Sequence, residues 1–223
     1  MKMEAPINYY KESLKELEAI KATGKRPTLL FHVCCGPCSC FPLTFLCPHF
    51  DVTIYYANSN IYPSEEYDHR LSELKKLISY LKRDYGYEVK LIVPPYDNDS
   101  YQKTMAPYAG SPERGERCFA CYRLRMEESY AYAEAHGFDY FTTVMTVSRQ
   151  KNSKKLNEIG AELALKYPKT KYFHSDFKKN HGLEIGTEIR KKYELYNQNY
   201  CGCKASFEEM KEREKRLQNR AQK

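Results

Sequence analysis

The chain has 223 residues, with 36 Lys and Arg against 29 Asp and Glu, a formal charge of +7. That length suits a single domain over 1–223, and no apolar run approaches the roughly 18 residues of a membrane span. The polar start Met1-Lys2-Met3-Glu4-Ala5-Pro6 has no apolar leader segment, so a cytoplasmic protein is expected. Disulfides are rare in that compartment, and clustered cysteines there bind metal or carry redox chemistry.

Thr28 to Val33 is an apolar run too short for a helix and reads as a buried strand. Val52 to Tyr56 is a second strand. Leu71, Leu74, Ile78, Leu81 and Tyr85 recur at spacings of three and four, which predicts an amphipathic helix. Val89 to Val93, stopped by Pro94-Pro95, predicts a third strand. A helix over Phe119–His136 ends at Gly137, and a fourth strand covers Asp139–Val144. A helix over Ser153–Lys166, a fifth strand over Lys171–His174 and a helix over Gly182–Tyr196 follow. Strands alternating with helices predict an α/β fold with a parallel sheet and right-handed crossovers. In such sheets, sites lie beyond the carboxyl ends of the strands.

Eight of the nine cysteines fall into three groups: Cys34-Cys35-Gly36-Pro37-Cys38-Ser39-Cys40, Cys118-x-x-Cys121 and Cys201-Gly202-Cys203. The first group follows the first strand directly. Cys34 and Cys35 are adjacent, and a strand-to-loop turn at Gly36-Pro37 lets both thiols converge. Cys118 and Cys121 open a helix, where the amide dipole and the nearby Arg117 and Arg123 favour thiolate. Two vicinal thiols plus this pair make four sulfurs, a count that suits Zn²⁺ or a [4Fe–4S] cluster. A vicinal pair is a poor zinc knuckle, and these ligands come from a core strand end, which favours iron–sulfur. A disulfide across Gly202 would close a small strained ring, suited to a redox couple; further metal ligation is the alternative. Cys40 and Cys47, seven apart with Leu43 and Leu46 between, read as core residues. Cys38 lies between ligand and packing roles.

The positive charge is uneven. Residues 149–223 carry 19 Lys and Arg against 10 Asp and Glu, while the first 148 carry 17 against 19. A phosphate-rich partner would account for that, and so would solvated helix faces. The tail 207–223 alternates Glu with Lys and Arg and reads as an exposed helix rather than a binding groove. His32 within an apolar strand reads as a core histidine. His174, Asp176, His181 and Tyr200 are candidates for acid–base work.

The combination of His32-Val33-Cys34-Cys35-Gly36-Pro37-Cys38, Cys118-x-x-Cys121-Tyr122-Arg123-Leu124-Arg125-Met126, Phe177-Lys178-Lys179 and Tyr200-Cys201-Gly202-Cys203 resembles the QueH type of epoxyqueuosine reductase. The resemblance spans about residues 28–206. It implies a Rossmann-like fold similar to the adenine-nucleotide α-hydrolase group, with a helical C-terminal segment. The glycine- and serine-rich phosphate loop of the ATP users in that group is missing after the first strand, so no ATP use is expected. It implies reduction of the epoxide of epoxyqueuosine in a tRNA anticodon, with electrons from a separate donor. It further implies a [4Fe–4S] cluster on Cys34, Cys35, Cys118 and Cys121, and Cys201 with Cys203 as a redox-active pair. A separate iron beside the cluster is part of the same expectation, with Cys38 and Asp176 as candidate ligands. Two other readings stand beside it: an iron–sulfur tRNA-thiolating enzyme, which would need ATP, and a zinc-stabilised RNA-binding module.

Overall fold

A computed structural model describes residues 7–221. The polar start at 1–6 and the last two residues of the charged tail lie outside it. Five strands form one sheet: β1 (Thr28–His32), β2 (Asp51–Tyr55), β3 (Lys90–Ile92), β4 (Tyr140–Thr143) and β5 (Lys171–Tyr172). All pairings are parallel, and the strand order is β3-β2-β1-β4-β5. The α/β parallel architecture read from the strand–helix alternation is therefore observed, and its order is that of a Rossmann-like sheet through its fifth strand.

The helices are α1 (Tyr9–Ala22), α2 (Gly36–Leu46), α3 (Ser64–Tyr85), α4 (Asn98–Met105), α5 (Glu116–Ala135), α6 (Ser153–Lys166), α7 (Gly182–Lys192) and α8 (Lys204–Ala221). Successive β1 side chains point to opposite faces of the sheet. Leu29 and Phe31 join Leu43, Leu46, Leu74 and Phe177 under α2, α3 and α7. Leu30 joins Met126, Tyr130, Phe141 and Leu163 under α5 and α6. These positions are sealed from solvent, and each such side chain contributes about 1.5–3 kcal/mol relative to exposure. Cys40 and Cys47 lie in the first of these cores, as expected, where burial pushes both thiols up to about 12.

Gly36 lets α2 start against α3: a Cβ there would lie 2.8 Å from the Glu73 carbonyl oxygen. The helix expected to reach Tyr196 stops at Lys192, because Glu194 adopts a left-handed backbone with φ of 50°. The chain that follows returns over the strand ends.

The two crossovers leaving β1 and β4 run to opposite sides of the sheet, so the crevice between these strands is open at its carboxyl edge. His32 and Thr143, the last residues of the two strands, face each other in register. His32 Nδ1 and Thr143 Oγ1 are 2.8 Å apart.

Candidate active site at the strand ends

Beyond β1, Cys35 takes an extended backbone and caps α2. The Cys34 and Cys35 sulfurs lie 3.9 Å apart. Cys38 sits three residues into the helix, on the face that turns back towards its start. The three sulfurs lie within 4.8 Å of one another. A single metal with sulfur ligands at about 2.3 Å spaces them by roughly 3.8 Å, so this soft donor triad is compatible with metal binding. Gln198 donates from Nε2 to Cys35 Sγ at 3.0 Å and to Cys38 Sγ at 3.3 Å. Its Oε1 is buried without a partner.

The three thiols differ in how readily they lose a proton. Hydrogen bonds offered by the Cys35 and Cys38 thiols hold Cys34 well below the ordinary thiol range. Burial, and then the Cys34 charge, push Cys35 well above it. The Cys34 interaction raises Cys38 to about 12.

Helix α5 faces this group. Cys118, Cys121 and Arg125 fall at spacings of three and four, on one face. The expected thiolate bias at the helix start does not hold. Burial pushes Cys118 up to about 11, against the Arg114 N–H that donates to its sulfur at 3.2 Å. Burial also raises Cys121, and charge on Cys201 and Cys203 adds to both. The arginines that were to favour thiolate are engaged elsewhere: Arg117 pairs with Glu209 at 3.5 Å and Arg123 with Glu162.

Cys201 and Cys203 are free thiols, both half-buried. Gly202 between them has φ of 122°, a backbone closed to other residues without strain. Its carbonyl accepts from Tyr62 N–H at 2.8 Å. Arg70 of α3, 1 % exposed, donates to the carbonyls of Cys201 and Tyr200 at 3.1 and 3.2 Å and pairs with Glu66 at 2.7 Å.

Cys34, Cys38 and Cys201 open into a cavity of about 570 Å³ that Lys151, Gln198 and Tyr200 also line. Lys151 arrives from the loop after β4, across the crevice from Cys34. Burial would favour its neutral amine, but charge on Cys201, Cys34 and Cys38 outweighs this and holds the ammonium above its ordinary range. The tail is the largely exposed helix expected, but one of its faces also serves the site. Ser206, Glu209, Met210 and Arg213 of α8 recur at spacings of three and four and wall the cavity, so this helix is part of the site. Arg114 and Arg213 stand in that cavity's lining, and Arg149 and Arg190 in the lining of an adjoining one of about 280 Å³ that shares Cys38 and Gln198. None of these four, nor Lys151, forms an ion pair among the described residues.

Tyr200 lines the cavity, with its hydroxyl donating to the Tyr62 carbonyl at 2.6 Å. Asp176 and His181 line neither cavity. The Asp176 carboxylate accepts from Ser153 Oγ at 3.1 Å and pairs with Lys178 at 3.3 Å. His174 stacks on Tyr9 with ring centroids 5.6 Å apart. His32 is fully buried, and burial, with the Arg125 guanidinium, lowers it to about 3.

The family model of epoxyqueuosine reductase QueH matches residues 29–209. The chain belongs to the QueH family. The matched stretch runs from β1 into α8 and takes in all nine cysteines. This QueH-family chain is 39 % identical over 200 residues to the epoxyqueuosine reductase QueH of Staphylococcus epidermidis, covering 88 % of this chain and 83 % of that one. It is 36 % identical over 197 residues to the protein of that name from Streptococcus pyogenes serotype M1, covering 88 % and 77 %. The Staphylococcus aureus protein of that name is 37 % identical over 199 residues, with 88 % and 82 % covered. Among the described residues, no helix is long and apolar enough to cross a membrane.

Four residues of this site carry no role in the sequence reading: Arg70, Arg125, Lys151 and Gln198. Arg125 had a signal, its spacing of four and seven from the two helix cysteines. The other three reach the site through long-range packing alone.

Proposed function

We propose that this chain reduces the epoxide of epoxyqueuosine in a tRNA anticodon to the cyclopentene, the last step of queuosine formation. The observation that carries the reading is a thiol-lined cavity at the strand ends of a QueH-family fold, bordered by cations without carboxylate partners.

Cys34, Cys35, Cys118 and Cys121 are read as ligands of a [4Fe–4S] cluster, which supplies one-electron transfers when bound. Of this donor set Cys34 and Cys35 converge, with Cys38 as their third soft sulfur, and the buried Arg125 cation between Cys34 and Cys121 is left to balance thiolate charge. Cys201 and Cys203 are read as a dithiol–disulfide couple. An additional iron would draw on Cys38; Asp176 would serve it only by leaving Lys178.

The reaction breaks two C–O bonds, forms one C=C bond, and consumes two electrons and two protons as oxygen leaves as water. The electrons come from a separate donor. Lys151 Nζ is the proton source on the cavity wall. Oxygen leaving a carbon is a strong base, as the pKa of about 15.7 for bulk water indicates, so an ammonium gives its proton up readily even when its own pKa is raised. Arg114, Arg149, Arg190 and Arg213 hold anticodon phosphates around the opening, and each phosphate contact should steepen the salt dependence of single-strand binding by about 0.7.

A tRNA-thiolating enzyme of this fold would hold ATP at the β1–α2 junction. Here that junction carries Cys34, Cys35 and Cys38 instead of a phosphate loop. The deciding experiment is purification without oxygen, iron and sulfide analysis, and incubation with epoxyqueuosine-containing tRNA and a low-potential reductant. A brown protein that forms queuosine is expected. A colourless, zinc-loaded protein without turnover would overturn the reading.

A further inference from the structure

Arg125 is 4 % exposed and has only neutral partners. Its Nη2 donates to Asn58 Oδ1 at 2.5 Å and lies 3.2 Å from His32 Nε2. Its Nη1 donates to Met145 Sδ at 3.6 Å, and its Nε is buried without a partner. It forms no ion pair among the described residues, while buried charges in folded proteins are ordinarily matched by an opposite charge. The partners come from three strand ends: His32 closes β1, Asn58 follows β2 and Met145 follows β4. Asn58 also donates from Nδ2 to the carbonyl of Val33, the residue before Cys34, at 2.8 Å. On its own helix Arg125 lies one turn beyond Cys121, on the same face. The guanidinium is thus built into the floor between the Cys34–Cys35 turn and the α5 cysteines.

We propose that Arg125 is the fixed counter-charge of this sulfur site and sets its reduction potential. The inference rests on the iron–sulfur reading above. Reduction adds one negative charge to a thiolate-bound iron–sulfur group, and a cation held in a dry site stabilises that state more than the oxidised one. Arginine suits the task because its charge does not titrate and its planar fork is fixed by two acceptors. His32 Nε2, 3.2 Å from the fork and 3.3 Å from the Ala57 carbonyl, and Nδ1, 2.8 Å from Thr143 Oγ1, fix the ring beside the guanidinium and add no carboxylate to cancel its charge.

The experiment is a redox titration of anaerobically prepared protein, followed by the cluster's electron spin resonance signal, beside an iron count. Arg125→Gln keeps a donor for Asn58 but loses the charge. Its midpoint potential should fall at unchanged iron content. Arg125→Lys keeps the charge and should recover most of that shift. A wild-type potential in an iron-replete Arg125→Gln protein would overturn the proposal. Should that variant fail to take up iron, Met145→Glu decides, because it sets a carboxylate against the intact guanidinium. The same fall is expected, and an unchanged potential overturns the proposal. Turnover is not the readout, so loss of activity elsewhere in the mechanism leaves the test intact. A wild type that binds no iron would sink the cofactor reading and this inference together.

Discussion

Arg70 Nη1 donates to the carbonyl of Cys201, 131 residues away in sequence, at 3.1 Å. The same guanidinium lies over the Tyr200 ring, 5.1 Å from its centroid, and pairs with Glu66. The Cys201-Gly202-Cys203 loop is therefore tied to α3 at Cys201, to Tyr62 at Gly202 and to the start of α8 at Cys203. Arg70→Met leaves Glu66 with only the Tyr196 hydroxyl as donor and two carbonyls with none, and should cost about 3–5 kcal/mol in denaturant unfolding. Gly202→Ala should cost about 1–3 kcal/mol from backbone strain at φ of 122°, with its Cβ 2.9 Å from Arg70 Nη1. Wild-type unfolding midpoints in both variants would show that the loop is not clamped.

The two classes of cysteine should fail differently. Cys34→Ala or Cys118→Ala should lose iron and colour together with activity. Cys201→Ala or Cys203→Ala should stay brown, with full iron, and lose queuosine formation. Iron analysis beside mass spectrometry of the digested tRNA separates the classes. A colourless Cys201→Ala protein would move that residue among the metal ligands.

Lys151→Met should slow single-turnover reduction by about 10²-fold, the usual contribution of one positioned proton donor. Its iron content and tRNA affinity should change little. If Lys151→Met instead weakens tRNA binding with an unaltered bound-state rate, the ammonium is a phosphate contact and not the proton source.

His32 makes stability depend on pH. Its folded pKa lies at about 3, below the ordinary 6.5, because burial and the Arg125 guanidinium oppose a second charge. Between these values the unfolded chain binds a proton that the folded chain refuses. Stability should be full above pH 6.5 and fall as the pH drops towards 3, by at most about 1.4 kcal/mol per unit. Denaturant midpoints at pH 7 and 4.5 test this. The fall should shrink in His32→Gln, and an equal fall in both proteins would assign it to other groups.

Much of the fold was legible because its signals are local. The apolar run Thr28–Val33 could only be a short buried strand, and the spacing of Leu71, Leu74, Ile78 and Leu81 could only face a core as a helix. Helix α4, eight residues long, is too short for a periodic pattern to declare itself. The exposed α8 was legible, but its cavity-facing side was not, because alternating charges hide the spacing of Ser206, Glu209, Met210 and Arg213.

The residues by themselves placed vicinal thiols at the carboxyl end of a core strand and a second pair at a helix start, and so located the chemistry. Only the tertiary structure decided their charges. A helix dipole acts over one turn, whereas desolvation depends on everything packed above it, so Cys118 rises where its local surroundings argued for a fall. The same dependence made Arg70, Arg125 and Lys151 part of the site: each is drawn there by partners far along the chain, and no spacing in one sequence records which distant groups will share a dry pocket.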